Sequence, residues 1–257
     1  MTFIIAEAGV NHGGDIGQAF LLCNAAKEAG ADAVKFQHFR SMLLWGDARI
    51  EHLELSDAEM TNIAGHCQAI GIEFMATPFG VPEVEFLRPL VKRWKVASGC
   101  LTRFDLLAAV RSTGLPVIMS TGMADMHRIG AAVDALGDPT LLHCTSAYPC
   151  PTADVNLAAM DALRTRWGAS CPVGYSDHTP GIVIALAAVA RGATVLEKHL
   201  TLDRNAEGPD HKASIEPKEF RIMVDAIRTI EQAIGKPEKR LQPSERAVAE
   251  AWYGNQR

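Results

Sequence analysis

Pro116-Val117-Ile118-Met119-Ser120-Thr121-Gly122 runs apolar for its first half and then turns to hydroxyl side chains. Apolar residues at successive rather than alternate positions mark a parallel strand covered on both faces. A helix-like stretch, 103–113, precedes it and closes on Gly114, and another, 124–136, follows. Thr140-Leu141-Leu142 opens the next apolar run. The same strand–helix unit repeats along the chain. Strands are expected over 3–10, 33–39, 72–79, 94–99, 116–122, 140–148, 172–178 and 194–200. Helices are expected over 16–29, 56–70, 81–90, 103–113, 124–136, 156–167, 180–191 and 216–234. In the last of these, Phe220, Met223, Ile227, Ile230 and Ile234 form one stripe at three- and four-residue steps. Gly30, Gly71, Gly114, Gly168 and Gly192 end helix-like stretches where a left-handed residue stops a helix.

Eight successive βα units predict an α/β fold of the closed (β/α)8, or TIM-barrel, type in a single domain over residues 1–235. The length of 257 residues suits one such barrel. No Gly-x-Gly-x-x-Gly turn follows the first strand, which argues against a dinucleotide-binding sheet. Residues 236–257, with Pro237 and Pro243, read as a linker and a short helical tail near Glu245–Trp252. Composition is that of a globular chain, 48% hydrophobic and 21% charged. A net charge of −5 gives no nucleic-acid footprint. The longest apolar run, Gly181–Ala190, is too short to span a bilayer. Phe3-Ile4-Ile5-Ala6 begins a strand with no basic segment or cleavage site before it, so a cytoplasmic location is expected. The six cysteines show neither CxxC nor zinc spacing and read as small apolar residues.

In such a barrel, chemistry sits at the C-terminal ends of the strands. Strand by strand, those ends carry Glu7 with Asn11 and His12; Lys35, Gln37 and His38; Thr77; Lys95 and Ser98; Ser120 and Thr121; Ser146 and Tyr148; Ser176, Asp177 and His178; and Glu197, Lys198 and His199. One lysine or serine near a strand end is ordinarily solvated. A full ring of them on an apolar scaffold is costly to bury without a ligand.

His178 and His199 occupy equivalent places on neighbouring strands. Two imidazoles and a carboxylate, from Glu7 or Asp210, suit a divalent ion such as Mn²⁺, with Mg²⁺ or Co²⁺ as alternatives. Two packing or substrate-bonding histidines are the competing reading. Lys35, Lys95, Ser98, Ser120 and Ser176 combine ammonium and hydroxyl groups in a way that suits a phosphate monoester. A Schiff-base aldolase is the other use of a barrel lysine. The strand Leu142-His143-Cys144-Thr145-Ser146, where pyruvate-type barrel aldolases carry it, has none.

Several segments together resemble the sialic acid synthase family. They are Ile5-Ala6-Glu7-Ala8-Gly9-Val10-Asn11-His12, Ala33-Val34-Lys35-Phe36-Gln37, Ala76-Thr77-Pro78-Phe79, Lys95-Val96-Ala97-Ser98-Gly99, Met119-Ser120-Thr121-Gly122-Met123, His143-Cys144-Thr145-Ser146-Ala147-Tyr148-Pro149, Gly174-Tyr175-Ser176-Asp177-His178-Thr179, Glu197-Lys198-His199 and Gly208-Pro209-Asp210-His211-Lys212-Ala213-Ser214. The resemblance implies condensation of phosphoenolpyruvate with an N-acetylhexosamine-like aldehyde, giving a nonulosonic 2-keto-3-deoxy acid and phosphate. It implies that Lys35, Lys95, Ser98, Ser120 and Ser176 hold phosphoenolpyruvate, with Gln37, Thr77, Ser146 and Tyr148 around the pocket. His178 and His199 would ligate Mn²⁺, Glu7 would act in proton transfer with Glu197 nearby, and Asp210 would contact the acceptor. The family commonly continues into a small antifreeze-like domain. A homodimer and a separate chain carrying that domain are therefore candidate partners. Gly80, Cys100 and His38 depart from residues usual in the family at those places.

Two other readings follow from the same residues. One is a barrel with reduced turnover that binds ligands, or half of a split synthase. The other is a metal-dependent hydrolase or a lyase on the same barrel; a hydrolase would call for a His-x-His pair on the first strand that is absent here.

Overall fold

The computed structural model describes residues 1–42 and 50–254. Eight parallel strands form the interior: β1 (Phe3–Gly9), β2 (Ala33–His38), β3 (Glu73–Pro78), β4 (Trp94–Val96), β5 (Val117–Ser120), β6 (Thr140–His143), β7 (Val173–Asp177) and β8 (Val195–His199). Hydrogen-bonded neighbours run β3-β2-β1-β8-β7-β6-β5-β4, and β3 and β4 lie side by side to close the ring. This is the (β/α)8 barrel expected from the repeat. Its helices are α1 (Ile16–Glu28), α2 (Asp57–Ile70), α3 (Val81–Leu87), α4 (Phe104–Ser112), α5 (Met126–Leu136), α6 (Ala159–Trp167), α7 (Val183–Ala190) and α8 (Pro217–Ile234), with α9 (Arg246–Tyr253) in the tail. No described helix is long and apolar enough to cross a membrane.

Local chemistry sets the helix limits. The Asp15 carboxylate accepts from the Gly17 and Gln18 amides at the start of α1. Ser56 and Glu59 form a reciprocal capping box on α2, and Gly71 ends that helix in the left-handed region at φ 74°. Gly30, Gly114 and Gly192 also take positive φ. Gly168 does not: its φ is −63°, because the chain stays right-handed into a turn in which Ser170 and Cys171 donate to the Trp167 carbonyl. On α8, Phe220, Met223, Val224 and Ile227 are buried, each contributing roughly 1.5–3 kcal/mol. Ile234, at the far end of the expected stripe, is exposed. Every strand is shorter than its expected bounds, most of all β4, β5 and β6. β4 gives way to a 3₁₀ turn at Ser98–Cys100, and Ser146 and Tyr148 sit in the loop after β6. All six cysteines are buried thiols.

Apolar packing falls into two main regions, beside a small third cluster of Val10, Phe39 and Leu53. Outward residues such as Ile4, Val34, Phe36, Met119 and Leu196 meet the helices in one large core. Inward residues Ile5, Ala33, Met75, Ile118, Leu142 and Val195 form a second, small cluster, with Phe3 packed against it and Arg93 stacked over the Phe3 ring. That cluster is the floor of the site.

Candidate active site

Side chains alternate across a strand, so the residue two places beyond each floor residue faces inward one step nearer the C-terminal end. Ile5 is followed in this sense by Glu7, Ala33 by Lys35, Met75 by Thr77, Ile118 by Ser120 and Val195 by Glu197. A polar storey therefore rests on an apolar one. Above it lies a cavity of about 310 Å³. Glu7, Lys35, Gln37, Thr77, Lys95, Ser98, Ser120, Ser146, Tyr148, Ser176, His178, Glu197 and His199 all line it. A larger groove, about 660 Å³, runs beside α2 and is lined chiefly by small and apolar residues such as Ala64, Gly65 and Leu90. It borders the N-terminal end of β3, away from the C-terminal strand ends where the polar groups gather.

Charge in the polar storey is tightly interlocked. Lys35 Nζ lies 2.7 Å from Glu7 Oε2 and donates to Thr77 Oγ1 at 2.9 Å. Lys95 Nζ donates to Ser120 Oγ at 2.7 Å and lies 3.3 Å from Glu197 Oε1. Ser176 donates its hydroxyl to the same Glu197 oxygen at 2.9 Å. Glu197 Oε2 is 3.8 Å from Lys35, which links the two lysines through one carboxylate. All four ionisable side chains are almost wholly buried.

The two carboxyls respond differently to this setting. Burial would raise Glu197, but the Lys95 and Lys35 ammonium groups outweigh it and bring the carboxyl down to about 2. Glu7 has one ammonium group in contact, that of Lys35, with the Gln37 amide donating to its other oxygen at 3.4 Å. Burial, together with repulsion from Glu197, pushes it up to about 7. Glu7 is thus the carboxyl that exchanges a proton near neutrality.

A hydroxyl-lined corner completes the lysine side. Ser98 Oγ accepts from the Gly122 amide at 3.0 Å and lies 3.3 Å from Cys144 Sγ. Ser146 Oγ is buried with no hydrogen-bond partner, so a polar atom aims into the cavity unsatisfied. Gly122 fits here because a Cβ would fall 2.3 Å from that oxygen.

The imidazoles converge on the other side. The His178 and His199 ring centroids are 5.5 Å apart, and the Tyr148 ring packs 4.1 Å and 5.7 Å from them. His178 Nδ1 donates to the Thr145 carbonyl at 2.7 Å. Burial holds His178 below its usual pKa and lowers His199 to about 4. A neutral ring with its Nδ1–H so engaged presents Nε2 as a lone pair, the arrangement found behind metal-bound histidines. His199 Nδ1 is buried without a hydrogen-bond partner, and Asp210 Oδ2 lies 3.6 Å away. Among the described residues no three His, Cys, Asp or Glu side chains are already gathered as a metal cage. The donor set fits an open ion site built on two imidazoles, with the remaining positions left to water or substrate. Asp210 reaches the site through the loop after β8, beside Gly9, where a Cβ would stand 2.9 Å from its Oδ2.

Several strand-end residues turn elsewhere. Asp177 and Lys198 face outward and pair with each other. Asn11 donates to the Leu200 carbonyl and to Ser214 Oγ. His12 accepts from the Gly14 amide, His38 bonds Asp57, and Thr121 donates to the Leu142 carbonyl. Phe79 and Met123 line the cavity without having been singled out as site residues. Met123 takes φ 60°, a left-handed value that is costly for a residue other than glycine, and the sequence marks it only as the last residue of the Met119–Met123 segment.

Against known proteins, a family model described as the NeuB family matches residues 22–239. The chain belongs to the NeuB family. An uncharacterized protein of Methanocaldococcus jannaschii is 46% identical over 96% of this chain and 76% of its own length. The N,N'-diacetyllegionaminic acid synthase of Legionella pneumophila is 42% identical over 95% of the chain and 76% of that protein. A crystal structure of N-acetylneuraminic acid (sialic acid) synthetase from Leptospira borgpetersenii, in complex with citrate, superposes with a TM-score of 0.92. It is 37% identical and covers all of this chain and 93% of that one. The family resemblance read from the motifs is therefore correct. This NeuB member is a sialic acid synthase-like enzyme, a transferase that forms a carbon–carbon bond.

Proposed function

We propose that this NeuB-family barrel condenses phosphoenolpyruvate with an N-acetylhexosamine-like aldehyde, yielding a nonulosonic 2-keto-3-deoxy acid and inorganic phosphate. One observation carries the reading. Two buried ammonium groups, Lys35 and Lys95, share a cavity with two neutral imidazoles 5.5 Å apart. The first pair suits an anionic enol phosphate, the second an aldehyde oxygen held by a cation.

Lys35, Lys95, Ser98, Ser120 and Ser176 anchor the donor, and Gln37, Thr77, Ser146 and Tyr148 shape the space around it. Holding both reactants turns a bimolecular encounter into an oriented one. The C3 carbon of the enol ester forms a bond to the aldehyde carbon, water adds at C2, and the C2–O bond to phosphate breaks. Glu7 moves the proton at the hydration step, while Glu197 holds the two lysines at fixed spacing. Asp210 contacts the acceptor. His178 and His199 would hold a divalent ion, Mn²⁺ by preference with Mg²⁺ or Co²⁺ as substitutes. When bound, the ion supplies Lewis acidity to the acceptor oxygen.

Phosphate release from phosphoenolpyruvate across a panel of N-acetylated amino-sugar aldehydes, with and without Mn²⁺, tests the reading. Metal-dependent release with at least one acceptor is expected, and His199→Ala should abolish the metal response while circular dichroism stays that of wild type. No release with any acceptor would sink the proposal.

A further inference from the structure

β7 and β8 each end in a triplet of polar residues, Ser176-Asp177-His178 and Glu197-Lys198-His199. In both, the outer members face the cavity and the middle one faces away. The two middle residues are register partners on adjacent strands. Lys198 Nζ lies 2.8 Å from Asp177 Oδ2, and neither side chain has any exposure. Asp177 Oδ1 accepts from the Thr179 amide at 3.0 Å, the Thr179 hydroxyl at 2.8 Å and Tyr175 at 3.3 Å. Lys198 also donates to the Thr179 carbonyl. The pair thus fastens β8 to β7 and to the turn that leaves it.

An ion pair is a weak choice for stability in this place. α7, the helix packed on these strands, reads Val-Ile-Ala-Leu-Ala-Ala-Val-Ala and offers no polar side chain. Taking two charges out of water costs about as much as their attraction returns, and a neutral pair that still satisfies Thr179 and Tyr175 would hold as well. What an ion pair adds is direction and register. We propose that Asp177 and Lys198 are positioning residues, a clamp on the outer face that sets the separation of the His178 and His199 imidazoles on the inner one. The proposal rests on the reading of those imidazoles as a metal site.

The test is the double variant Asp177→Asn/Lys198→Met, in which an amide oxygen still accepts from Thr179 and Tyr175 while the tie to β8 is lost, measured by thermal unfolding, by calorimetric titration with Mn²⁺, and by a metal-free crystal structure. Its unfolding midpoint should stay close to wild type while Mn²⁺ affinity falls about tenfold or more. The ring centroids should also depart from their 5.5 Å separation. Wild-type affinity with an unchanged separation overturns the clamp. So does a double variant that fails to fold, since the pair would then serve stability. Thr179→Val, which removes one donor to Asp177, should weaken Mn²⁺ binding severalfold, and unchanged affinity there also counts against the clamp. If the wild-type protein takes up no Mn²⁺, the metal reading fails, and the ring separation in the double variant decides the clamp by itself.

Discussion

Glu7 behaves unlike a carboxyl in water. It touches an ammonium group at 2.7 Å yet keeps a proton up to about pH 7, because burial and the neighbouring Glu197 outweigh Lys35. A carboxyl raised from 4.5 in this way contributes stability that is complete below pH 4.5 and fades as pH climbs through 7. The full effect is roughly 3 kcal/mol at most. Glu7→Gln keeps a neutral hydrogen-bonding group at every pH. The stability of wild type relative to Glu7→Gln, from urea unfolding at a series of pH values, should therefore decline between pH 4.5 and 7. A difference that stays flat across that window would show that Glu7 is ionised throughout.

At the scale of the strand, β7 depends on a position with no side chain. A Cβ on Gly174 would lie 2.3 Å from the Val195 carbonyl oxygen and 2.7 Å from Leu142 Cδ2, so β7 could not stay in register between β6 and β8. Gly174→Ala should cost about 2 kcal/mol or more in urea unfolding. A loss under about 0.5 kcal/mol would mean that the neighbours yield freely. The strands themselves were legible because parallel strands under helices are apolar at consecutive positions, as in Val117-Ile118-Met119. Their limits were not. β6 stops at His143 although chemistry-bearing residues continue to Tyr148, and nothing in side-chain type marks where a ladder of backbone hydrogen bonds ends. Which face each rim residue takes was equally hidden. Ser-Asp-His and Glu-Lys-His contain no apolar residue to mark the outer side, so Asp177 and Lys198 count among the polar rim residues although they face the helices.

For the molecule as a whole, stability resides in the barrel. No side chain of α9 is buried, and Leu241, Val248, Trp252 and Tyr253 are exposed. A chain ending at Gly235 should unfold at the same temperature as the full chain, within a degree or two in calorimetry. A drop of several degrees would reveal packing of the tail that these contacts do not contain. The constellation of lysines, hydroxyls and imidazoles was legible because each belongs to the end of a different strand, and the barrel brings those ends together. Asp210 was harder to place, since it arrives on a loop whose path is set by Asn11, Ser214 and Gly9 rather than by any periodicity.

Packing of Ile5, Ala33, Met75, Ile118, Leu142 and Val195 beneath the ionic storey also dictates traffic. A plugged lower end makes the barrel a well with one opening, in which whatever rests on Lys35 and Lys95 is overlain by whatever arrives next. Loading must then be sequential, with the deepest guest first in and last out, and a blocked mouth halts both delivery and departure.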